Sequence, residues 1–384
     1  MMDENKKVML TDTTLRDGEQ SPGVVFSFDD KRDIFRMLVK SGIEEIEIGS
    51  PFISDIDRSH IILLNKEKRN LKTACWSRAL KQDIDMARDT FSNGINISCP
   101  VSDIQLAAIN KDRNWALKSI KNSISYARDY FEYVCAGAQD ASRADINYLL
   151  EYCFIARESG AYRVRIADTV GKLDPFSTYG LIHKIKQSIP DLELEFHAHN
   201  DLGMATANTL AAAKAGARYL SVTVGGLGER AGNAALEQVA MALEYSDNFY
   251  AGLDATIFIP MAQRVARAAN RPIAESNPIT GSLALLHESG IHTRSILKNR
   301  DTYQIIPASK LGLNENNFVF GRHCGSAALN DFLQTNGIHL SKNNVAVLLN
   351  KIKQKAVLQK GAVSPQEIKM LCQDLLPDSC LNPM

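Results

Sequence analysis

Two histidines separated by one residue, His197 and His199, form the most specific chemical signal in the chain. Alternate residues of a β-strand face the same side, so both imidazoles of a strand-ending HAH would point to one place. Neutral imidazole is a good ligand for first-row metal ions, and two such ligands leave room for a carboxylate, a carbonyl or water. One histidine in the core and one on the surface is the alternative, but the spacing favours a metal site.

A divalent metal ion also needs oxygen ligands, and two residues in other segments could supply them. Asp17 lies in TDTTLRDGEQ and Asn233 lies in GLGERAGNAALE. Each has an ordinary structural alternative, because aspartate often shapes a turn and asparagine often caps a helix. The glycine-rich run before Asn233 lacks the GK[ST] ending of a phosphate-binding loop. A tight backbone that turns Asn233 and Glu229 inward explains the run better.

Two further polar residues could contact a substrate at such a metal. Arg16 precedes Asp17 and could present its guanidinium to a carbonyl or carboxylate, with a surface ion pair as the alternative. Thr169, in ADTVG, could donate its hydroxyl to a substrate carboxylate or could be an ordinary turn threonine. These residue types together predict a metal site that binds a small molecule carrying a carboxylate.

The elements that must position these residues are visible in the hydrophobic pattern. Short β-rich runs alternate with amphipathic helical patterns, several of which end in glycine, as at Gly42, Gly160 and Gly216. The strand-like runs begin near Val8, Ile43, Leu71, Ile95, Glu132, Arg163, Leu192 and Tyr219. An open doubly wound sheet is the competing arrangement, but the phosphate-binding fingerprint that usually follows its first strand is missing.

Eight strand–helix units over roughly 250 residues are typical of a TIM barrel. A barrel carries its active site where the strands end, and the polar segments around Asp17, Thr169, His197 and Asn233 all follow strand-like runs. We therefore predict an α/β protein with a TIM (β/α)8 barrel as its catalytic domain over residues 1–250. Residues 251–384 lack the regular alternation and are predicted to form a smaller, mainly helical region.

Composition and charge exclude several classes of protein. Lysine plus arginine equals aspartate plus glutamate at 44 each, so no net field would attract nucleic acid or an anionic membrane. No apolar run approaches the ~18 residues of a membrane span, and the N-terminus lacks a secretory signal. The seven cysteines show no CxxC spacing, which argues for reduced thiols in a cytoplasmic protein. We expect small-molecule substrates and neither nucleic acid nor a membrane as a partner.

Several motifs, in this order, resemble one family of barrel enzymes. They are TDTTLRDGEQSPG, EEIEIGSP, DASRAD, ADTVG, HAHNDLGMATANTLAA, GLGERAGNAALE and HESGIH. The chain resembles the acyl-CoA-condensing members of the TIM-barrel family named for an Asp-Arg-Glu motif, which include homocitrate, 2-isopropylmalate and citramalate synthases. HAHNDLGMATANTLAA and GLGERAGNAALE most resemble the nitrogenase-associated homocitrate synthases, which implies a role in nitrogen fixation.

The resemblance assigns roles to individual residues of this chain. It implies one divalent metal ion, Mg, Mn or Zn, with four ligands: Asp17, His197, His199 and Asn233. It also implies that Arg16 and Gln20 contact a 2-oxo acid and that Thr169 binds its carboxylate. Glu47 resembles an inward-facing carboxylate close to the metal or its ligands.

The resemblance further implies a homodimer. His292, in HESGIH, matches a histidine that the family inserts into the active site of the partner subunit. Residues 251–384 would therefore serve dimerisation and the completion of the active site. The expected reaction condenses acetyl-CoA, as co-substrate, with 2-oxoglutarate and water to give homocitrate and CoA, with Arg16 stabilising the developing alkoxide.

Three departures from the family pattern leave the substrate open. Lysine-pathway homocitrate synthases hold the distal carboxylate of 2-oxoglutarate with a histidine and an arginine, and our alignment places Leu80 and Cys135 there. Arg78 is a nearby alternative cation. Gln139, in QDASR, stands where the family carries a catalytic-looking glutamate. Pyruvate or 2-oxoisovalerate is therefore an alternative substrate, and a catalytically impaired paralogue that binds a 2-oxo acid or an amino acid is an alternative function.

Overall fold

The computed structural model describes residues 7–246, 249–314 and 318–375. The chain forms two compact units, Met1–Ile273 and Ala274–Met384. The first unit extends beyond residue 250 because α10 (Phe258–Ala269) packs on α1 (Phe28–Ser41). The compact units divide after Ile273. The domain boundary that the sequence analysis places at residue 250 stays a prediction.

Eight parallel strands form a closed barrel in which each strand pairs with its neighbours along the chain and β8 pairs with β1. This confirms the predicted TIM (β/α)8 fold. The strands are β1 (Met9–Asp12), β2 (Glu45–Gly49), β3 (Lys72–Arg78), β4 (Gly94–Pro100), β5 (Tyr133–Gln139), β6 (Arg163–Asp168), β7 (Glu193–Ala198) and β8 (Tyr219–Val222).

Helices surround the barrel and follow the local rules for helix formation. They are α1, α2 (Asp55–Asn65), α3 (Lys81–Arg88), α4 (Asp103–Ala108), α5 (Arg113–Ala127), α6 (Ile146–Glu158), α7 (Pro175–Ser188), α8 (Ala205–Lys214), α9 (Leu236–Ser246) and α10. Helix α1 begins with a capping box between Ser27 and Asp30 and ends at Gly42, whose φ of 86° suits glycine. Its buried residues Ile34 and Leu38 are four apart, so one face packs on the barrel.

The barrel interior differs from the usual aliphatic filling, because charged side chains occupy it. Three guanidiniums and three carboxylates alternate from the amino ends of the strands towards their carboxyl ends. This interior ion-pair column consists of Glu45, Arg163, Glu195, Arg165, Glu47 and Arg16, all of them buried.

Short contacts join the members of the column. Glu195 is shared by two arginines of β6, with 2.6 Å to Nε of Arg163 and 2.7 Å to Nη2 of Arg165. Arg165 also contacts Glu47 at 2.7 Å, and Glu47 accepts a hydrogen bond from Nε of Arg16. At the end of the column nearest the amino ends of the strands, Arg163 forms an ion pair with Glu45, with 3.0 Å from Nη1 of Arg163 to Oε2 of Glu45. Every charge in the column therefore has a partner of the opposite sign.

The second unit is mainly helical, as predicted, with α11 (Gly290–Ile296), α12 (Ser326–Thr335), α13 (Lys342–Gln359) and α14 (Pro365–Gln373). Helices α12, α13 and α14 share a core of buried apolar side chains that includes Leu329, Leu348, Ile352 and Ile368. Among the described residues, the structure contains no helix that is both long and apolar enough to cross a membrane.

Candidate active site

Asp17, His197 and His199 come together at the carboxyl end of the barrel. Oδ2 of Asp17 lies 3.4 Å from Nε2 of His197 and 3.8 Å from Nε2 of His199. The two Nε2 atoms are 3.2 Å apart. Within the described part of the chain, these three residues form the one cluster of at least three His, Cys, Asp or Glu side chains with metal-binding spacing.

Local hydrogen bonds place Asp17 in this cluster. The carboxylate of Asp12, at the end of β1, accepts hydrogen bonds from the backbone N–H and the hydroxyl of Thr14. The Thr14 hydroxyl in turn accepts the backbone N–H of Val224, after β8. The loop after β1 is thereby tied to the loop after β8, and Asp17 is directed towards β7.

The protonation states of the cluster suit a metal ion. Burial alone would raise the pKa of Asp17, but the Arg16 guanidinium and the two imidazoles hold that pKa well below its usual value. Burial, together with the neighbouring His197, lowers the pKa of His199 to about 3. A metal ion requires an ionised carboxylate and a neutral imidazole, and these are the forms that Asp17 and His199 adopt near neutral pH.

A buried polar atom without a partner supports the same conclusion. Oδ1 of Asn233 is buried and has no hydrogen-bond partner. Nδ2 of Asn233 donates to Oδ2 of Asp17 at 2.7 Å, so the amide of Asn233 reaches the cluster. Two imidazoles, a carboxylate and an amide oxygen are a donor set that fits a divalent metal ion.

The glycine-rich run before Asn233 is explained by crowding. A Cβ atom on Gly228 would lie 2.4 Å from Nδ2 of Asn233, and a Cβ atom on Gly232 would lie 2.1 Å from the backbone oxygen of Gly226. The Asn233 side chain bonds Asp17 and the backbone oxygen of Leu227. The run therefore serves the close approach of Asn233, which was the preferred interpretation of the sequence.

Arg16 is buried beside the cluster and is not part of a surface ion pair. Its Nη1 donates to Oδ1 of Asp17 at 2.7 Å, and its Nε donates to Glu47. Burial opposes the ionisation of Glu47, but Arg16 and Arg165 outweigh it and lower the pKa of this carboxyl. The guanidinium of Arg16 also lies 5.7 Å from the centre of the Trp76 ring. Arg16 is thus fixed in orientation from three sides.

A cavity of about 220 Å³ opens at the cluster. Of the predicted residues, Arg16, Asp17, Gln20, Gln139, Thr169, His197 and His199 line it, and Glu229 does so too. Thr169 is held by its loop, in which the carboxylate of Asp168 accepts the backbone N–H groups of Lys172 and Leu173. The Thr169 hydroxyl accepts the N–H of Asp140, which leaves its own hydrogen free for a ligand.

Six lining residues were not identified from the sequence. They are Trp76, Asn96, Ser98, Gly137, Arg165 and Ala167. All lie within strands, and where two come from one strand they are two positions apart and face the same side. Polar residues within otherwise apolar strands are the signal that would have revealed Asn96, Ser98 and Arg165, whereas Trp76, Gly137 and Ala167 carry no such signal.

Several predicted positions lie elsewhere. The guanidinium of Arg78 is bound to Asp83 at 2.7 Å and lies over the ring of Phe52. Leu80 is 44% exposed and precedes α3, whereas Trp76 of the same segment lines the cavity. Cys135 is buried, with Sγ 3.6 Å from Oε2 of Glu195. A substrate-binding role for Arg78 gains no support from this placement and stays a prediction.

Gln139 ends β5 and Asp140 follows it, and the two side chains have different surroundings. Oε1 of Gln139 accepts a hydrogen bond from Ser98 at 3.2 Å, and the Gln139 side chain lines the cavity. The carboxylate of Asp140 is bound by Arg143 at 2.7 Å and by the Ser102 hydroxyl. Asp140 is therefore engaged in local structure and does not replace the carboxylate that Gln139 lacks.

His292 lies in the second unit, in α11. Its ring stacks on Tyr303 with 3.9 Å between the ring centres, and His287 lies 5.9 Å away. Its expected role in a partner's active site stays a prediction.

A larger cavity, of about 600 Å³, lies at the opposite end of the barrel, lined by Glu45, Lys72, Tyr133, Arg163 and other residues. We assign the active site to the smaller cavity, because it contains the metal-binding cluster and lies at the carboxyl ends of the strands.

Comparison with known proteins identifies relatives of the whole chain. Residues 7–265 match the family described as HMGL-like, and residues 279–360 match the homocitrate synthase post-HMGL domain-like family. The chain is 40% identical to 2-isopropylmalate synthase 2 of Caldanaerobacter subterraneus, over 97% of both chains. It is 38% identical to homocitrate synthase 1 of Nostoc sp., over 96% of this chain and 97% of the relative.

Two further similarities broaden the comparison. The chain is 36% identical to 2-phosphonomethylmalate synthase of Streptomyces rubellomurinus, over 94% of this chain and 96% of the relative. The crystal structure of hydroxymethylglutaryl-CoA lyase from Pseudomonas aeruginosa superimposes with a TM-score of 0.64 at 22% identity, covering 73% of this chain and 96% of the lyase. The structural likeness concerns the fold alone.

Proposed function

Because the chain belongs to the HMGL-like family of acetyl-CoA-condensing synthases that includes 2-isopropylmalate, homocitrate and citramalate synthases, we propose that it makes homocitrate and CoA from acetyl-CoA, 2-oxoglutarate and water. The observation that carries the choice of 2-oxo acid is the polarity of the cavity. Asn96, Ser98, Gln139 and Arg165 line it beyond the metal-binding cluster, and Trp76 and Ala167 supply its apolar surface.

This polarity favours a substrate with a second polar group. The isopropyl group of 2-oxoisovalerate would cover buried hydrogen-bonding groups without bonding to them, and each such group left unsatisfied costs about 1–3 kcal/mol. The methyl group of pyruvate would leave most of the polar wall without a ligand. A second carboxylate, as in 2-oxoglutarate, can accept hydrogen bonds from Arg165 and from the amide N–H groups of Gln139, whereas Asn96 and Ser98 already donate to Glu47 and Gln139.

In the proposed mechanism the residues of the chain bind and orient the oxo acid. Asp17, His197, His199 and Asn233 hold one divalent ion, Mg, Mn or Zn, which when bound supplies Lewis acidity to the oxo-acid carbonyl. Arg16 donates hydrogen bonds to the carbonyl oxygen, which becomes an alkoxide. Thr169 donates its free hydroxyl hydrogen to the adjacent carboxylate, and Gln20 contacts the same end of the substrate.

The condensation step joins the acetyl methyl carbon to C2 of the oxo acid. A base removes a proton from the methyl group, the resulting enolate attacks C2, and water then hydrolyses the thioester to release CoA. We propose that His292 of a partner subunit takes part in the proton transfer within a homodimer. Gln139 would then orient groups by hydrogen bonding, because its amide cannot take up a proton.

The finer assignment, a homocitrate synthase of the nitrogenase-associated type with a role in nitrogen fixation, is part of this proposal. It is supported by the stretches HAHNDLGMATANTLAA and GLGERAGNAALE. One observation favours a second function. The cavity lacks a carboxylate at position 139, and Asp140 is bound by Arg143, so a weakly active paralogue that binds an oxo acid or amino acid is the alternative.

A panel of oxo acids tests the proposal. The purified protein, loaded with Mg, Mn or Zn, is incubated with acetyl-CoA and either 2-oxoglutarate, pyruvate or 2-oxoisovalerate, and released CoA is measured with a thiol reagent. We expect the highest kcat/KM with 2-oxoglutarate, and homocitrate identified by mass spectrometry. A higher kcat/KM with pyruvate or 2-oxoisovalerate would overturn the assignment. Thermal stabilisation by an oxo acid without CoA release would support the paralogue.

A further inference from the structure

We propose that Arg165 binds the distal carboxylate of the 2-oxo acid and thereby selects a dicarboxylic substrate; this inference rests on the proposed function. Arg165 lies in the middle of β6, is 3% exposed and lines the cavity. Its Nε and Nη2 are bound to Glu195, and Nη2 also contacts Glu47. Its Nη1 is buried and has no hydrogen-bond partner.

An unpartnered guanidinium nitrogen is an unusual feature of a buried arginine. Buried polar groups are nearly always hydrogen-bonded, and an exception calls for a partner that is present only at times. Arg163, two residues earlier on the same strand, has a similar environment but is bound to a carboxylate through Nε, Nη1 and Nη2. Arg165, which lines the cavity, therefore differs from its neighbour in keeping one nitrogen without a partner in the protein.

The level of Arg165 in the barrel suits the far end of a five-carbon oxo acid. Ala167 is in register with His197 of the metal-binding cluster, and Arg165 lies two residues deeper on the same face of β6. Two residues of a strand span about 6.6 Å. In 2-oxoglutarate, three carbon–carbon bonds of about 1.5 Å separate C2 from the distal carboxyl carbon. A substrate bound at the cluster and pointing inward would bring its distal oxygens to Arg165.

The strands beside Arg165 leave room for this group. Ser98, Gly137 and Arg165 are in register on β4, β5 and β6, so they lie at one level. A Cβ atom on Gly137 would lie 3.1 Å from Oδ1 of Asn96, and its absence keeps the space between Ser98 and Arg165 open. The distal carboxylate would lie over Gly137 and accept from Nη1 of Arg165, with the Ser98 side chain, whose hydroxyl donates to Gln139, on its other side.

The charge around Arg165 does not repel a second carboxylate. Glu47 and Glu195 contact Arg165, but Glu47 also contacts Arg16, and Glu195 also contacts Arg163. The interior ion-pair column contains three arginines and three glutamates and so has no net charge. The N–H groups of Nη1 are then the local feature that an anion meets.

Two substrates that differ only at the distal end test the proposal. 2-Oxovalerate has a methyl group where 2-oxoglutarate has its carboxylate. In the wild type we expect kcat/KM for 2-oxoglutarate to exceed that for 2-oxovalerate by roughly 100-fold, the effect of a charged hydrogen bond and an unsatisfied buried donor. A ratio below about tenfold in the wild type would overturn the role of Arg165 without any variant.

Variants test whether Arg165 is the residue that causes the preference for 2-oxoglutarate over 2-oxovalerate. Arg165→Gln is expected to lower kcat/KM for 2-oxoglutarate by roughly 10- to 150-fold, mainly through KM, and to leave the value for 2-oxovalerate within about threefold. Arg165→Lys, which keeps the charge, should restore part of the preference. Arg163→Gln is the matched control, because it breaks the same kind of buried ion pair without lining the cavity. It should leave the ratio of the two substrates unchanged.

The outcomes separate this inference from the proposed function. If the wild type uses 2-oxoglutarate best but Arg165→Gln lowers the rates with both substrates equally, the proposed function stands and the role of Arg165 is wrong. If the wild type prefers pyruvate or 2-oxoisovalerate, the proposed function itself is wrong. Should Arg165→Gln fail to fold, the double variant Arg165→Gln/Glu195→Gln removes one charge of each sign and is compared with Glu195→Gln alone, with the same expectation for the ratio.

Discussion

The Nε2 atoms of His197 and His199 lie 3.2 Å apart, on residues that face the same side of the end of β7. Two protonated imidazoles at this separation would repel each other, and burial with the neighbouring His197 already lowers the pKa of His199 to about 3. Both Nε2 atoms also lie close to Oδ2 of Asp17, at 3.4 Å for His197 and 3.8 Å for His199. The arrangement of the two histidines therefore favours binding of a metal ion over binding of protons.

The first prediction concerns metal binding. His197→Ala should lose the bound ion, so elemental analysis should find about one divalent ion per wild-type chain and almost none in the variant. CoA release should fall by roughly 1,000-fold, because the Lewis acid contributes several kcal/mol. Chelation of the wild type should have the same effect and be reversed by added metal. His183→Ala, at an exposed position of α7, is the control and should keep its metal.

The second prediction concerns Gln139, which lines the cavity where the family carries a glutamate. If the missing carboxylate limits the rate, Gln139→Glu should increase CoA release by at least ~10-fold, below the ~100- to 10,000-fold range of a well-placed acid or base. Gln139→Met, of similar length and without an ionisable group, should not. An unchanged or lower rate in Gln139→Glu, starting from a brisk wild type, would show that glutamine is a tolerated replacement.

The third prediction concerns His292 and the homodimer. Asp17→Asn and His292→Ala should each be nearly inactive alone. After subunit exchange between equal amounts of the two, half of the protein should be heterodimer with one intact site of two, which restores about a quarter of wild-type activity in a two-fold symmetric dimer. A mixture that stays inactive, or a fully active monomer in sedimentation, would contradict the shared active site.

The fourth prediction concerns the pH dependence of stability. Burial raises the pKa of Glu237, in α9, to about 7, against 4.5 for an ordinary glutamate. The folded protein therefore holds this proton more tightly than the unfolded chain, and the free energy of unfolding should fall as pH rises from about 4.5 to about 7. The contribution is about 3 kcal/mol, at about 1.4 kcal/mol per unit of pKa difference.

Glu237→Gln should remove that part of the pH dependence. The variant should match the wild type at pH 4, where the carboxyl is protonated in both states, and should be more stable at pH 8. Urea unfolding at the two pH values measures the difference, with Glu244→Gln, at an exposed position of the same helix, as the control. Equal stability of Glu237→Gln and wild type at pH 8 would show that Glu237 does not carry the effect.

The strands could be predicted from the sequence because both faces of each are buried. The predicted starts near Ile43, Leu71 and Leu192 lie within two residues of the observed starts at Glu45, Lys72 and Glu193. The outward face of each strand packs on helices, so β-branched and other apolar residues recur at least at alternate positions, and that local pattern suffices to place the strand. The glycines that end helices, such as Gly42, marked the other boundaries.

The site was only partly predictable, for a different reason. Asp17, Thr169 and His199 stand out because polar residues collect after strand ends. Arg165 and Glu195 lie inside strands, where a charged residue normally indicates exposure to water. Whether Arg165 and Glu195 are buried in ion pairs or exposed to water depends on which residues of other strands face them. That depends on strand register, which is not a local property of the sequence. The choice between a helix cap and a metal ligand for Asn233 likewise needed its distance to Asp17.

The interior ion-pair column limits the routes by which substrate preference can change during evolution. Glu47 and Glu195 each form ion pairs with two arginines. Replacing one member of the column by a neutral residue therefore leaves a buried charge without its full set of partners, which typically costs about 3–5 kcal/mol of stability. That is a large part of the 5–15 kcal/mol that stabilises a typical protein. Laboratory evolution that changes one codon at a time would therefore pass through intermediates of lowered stability here. Libraries that exchange opposite charges on β2, β6 and β7 together avoid that loss.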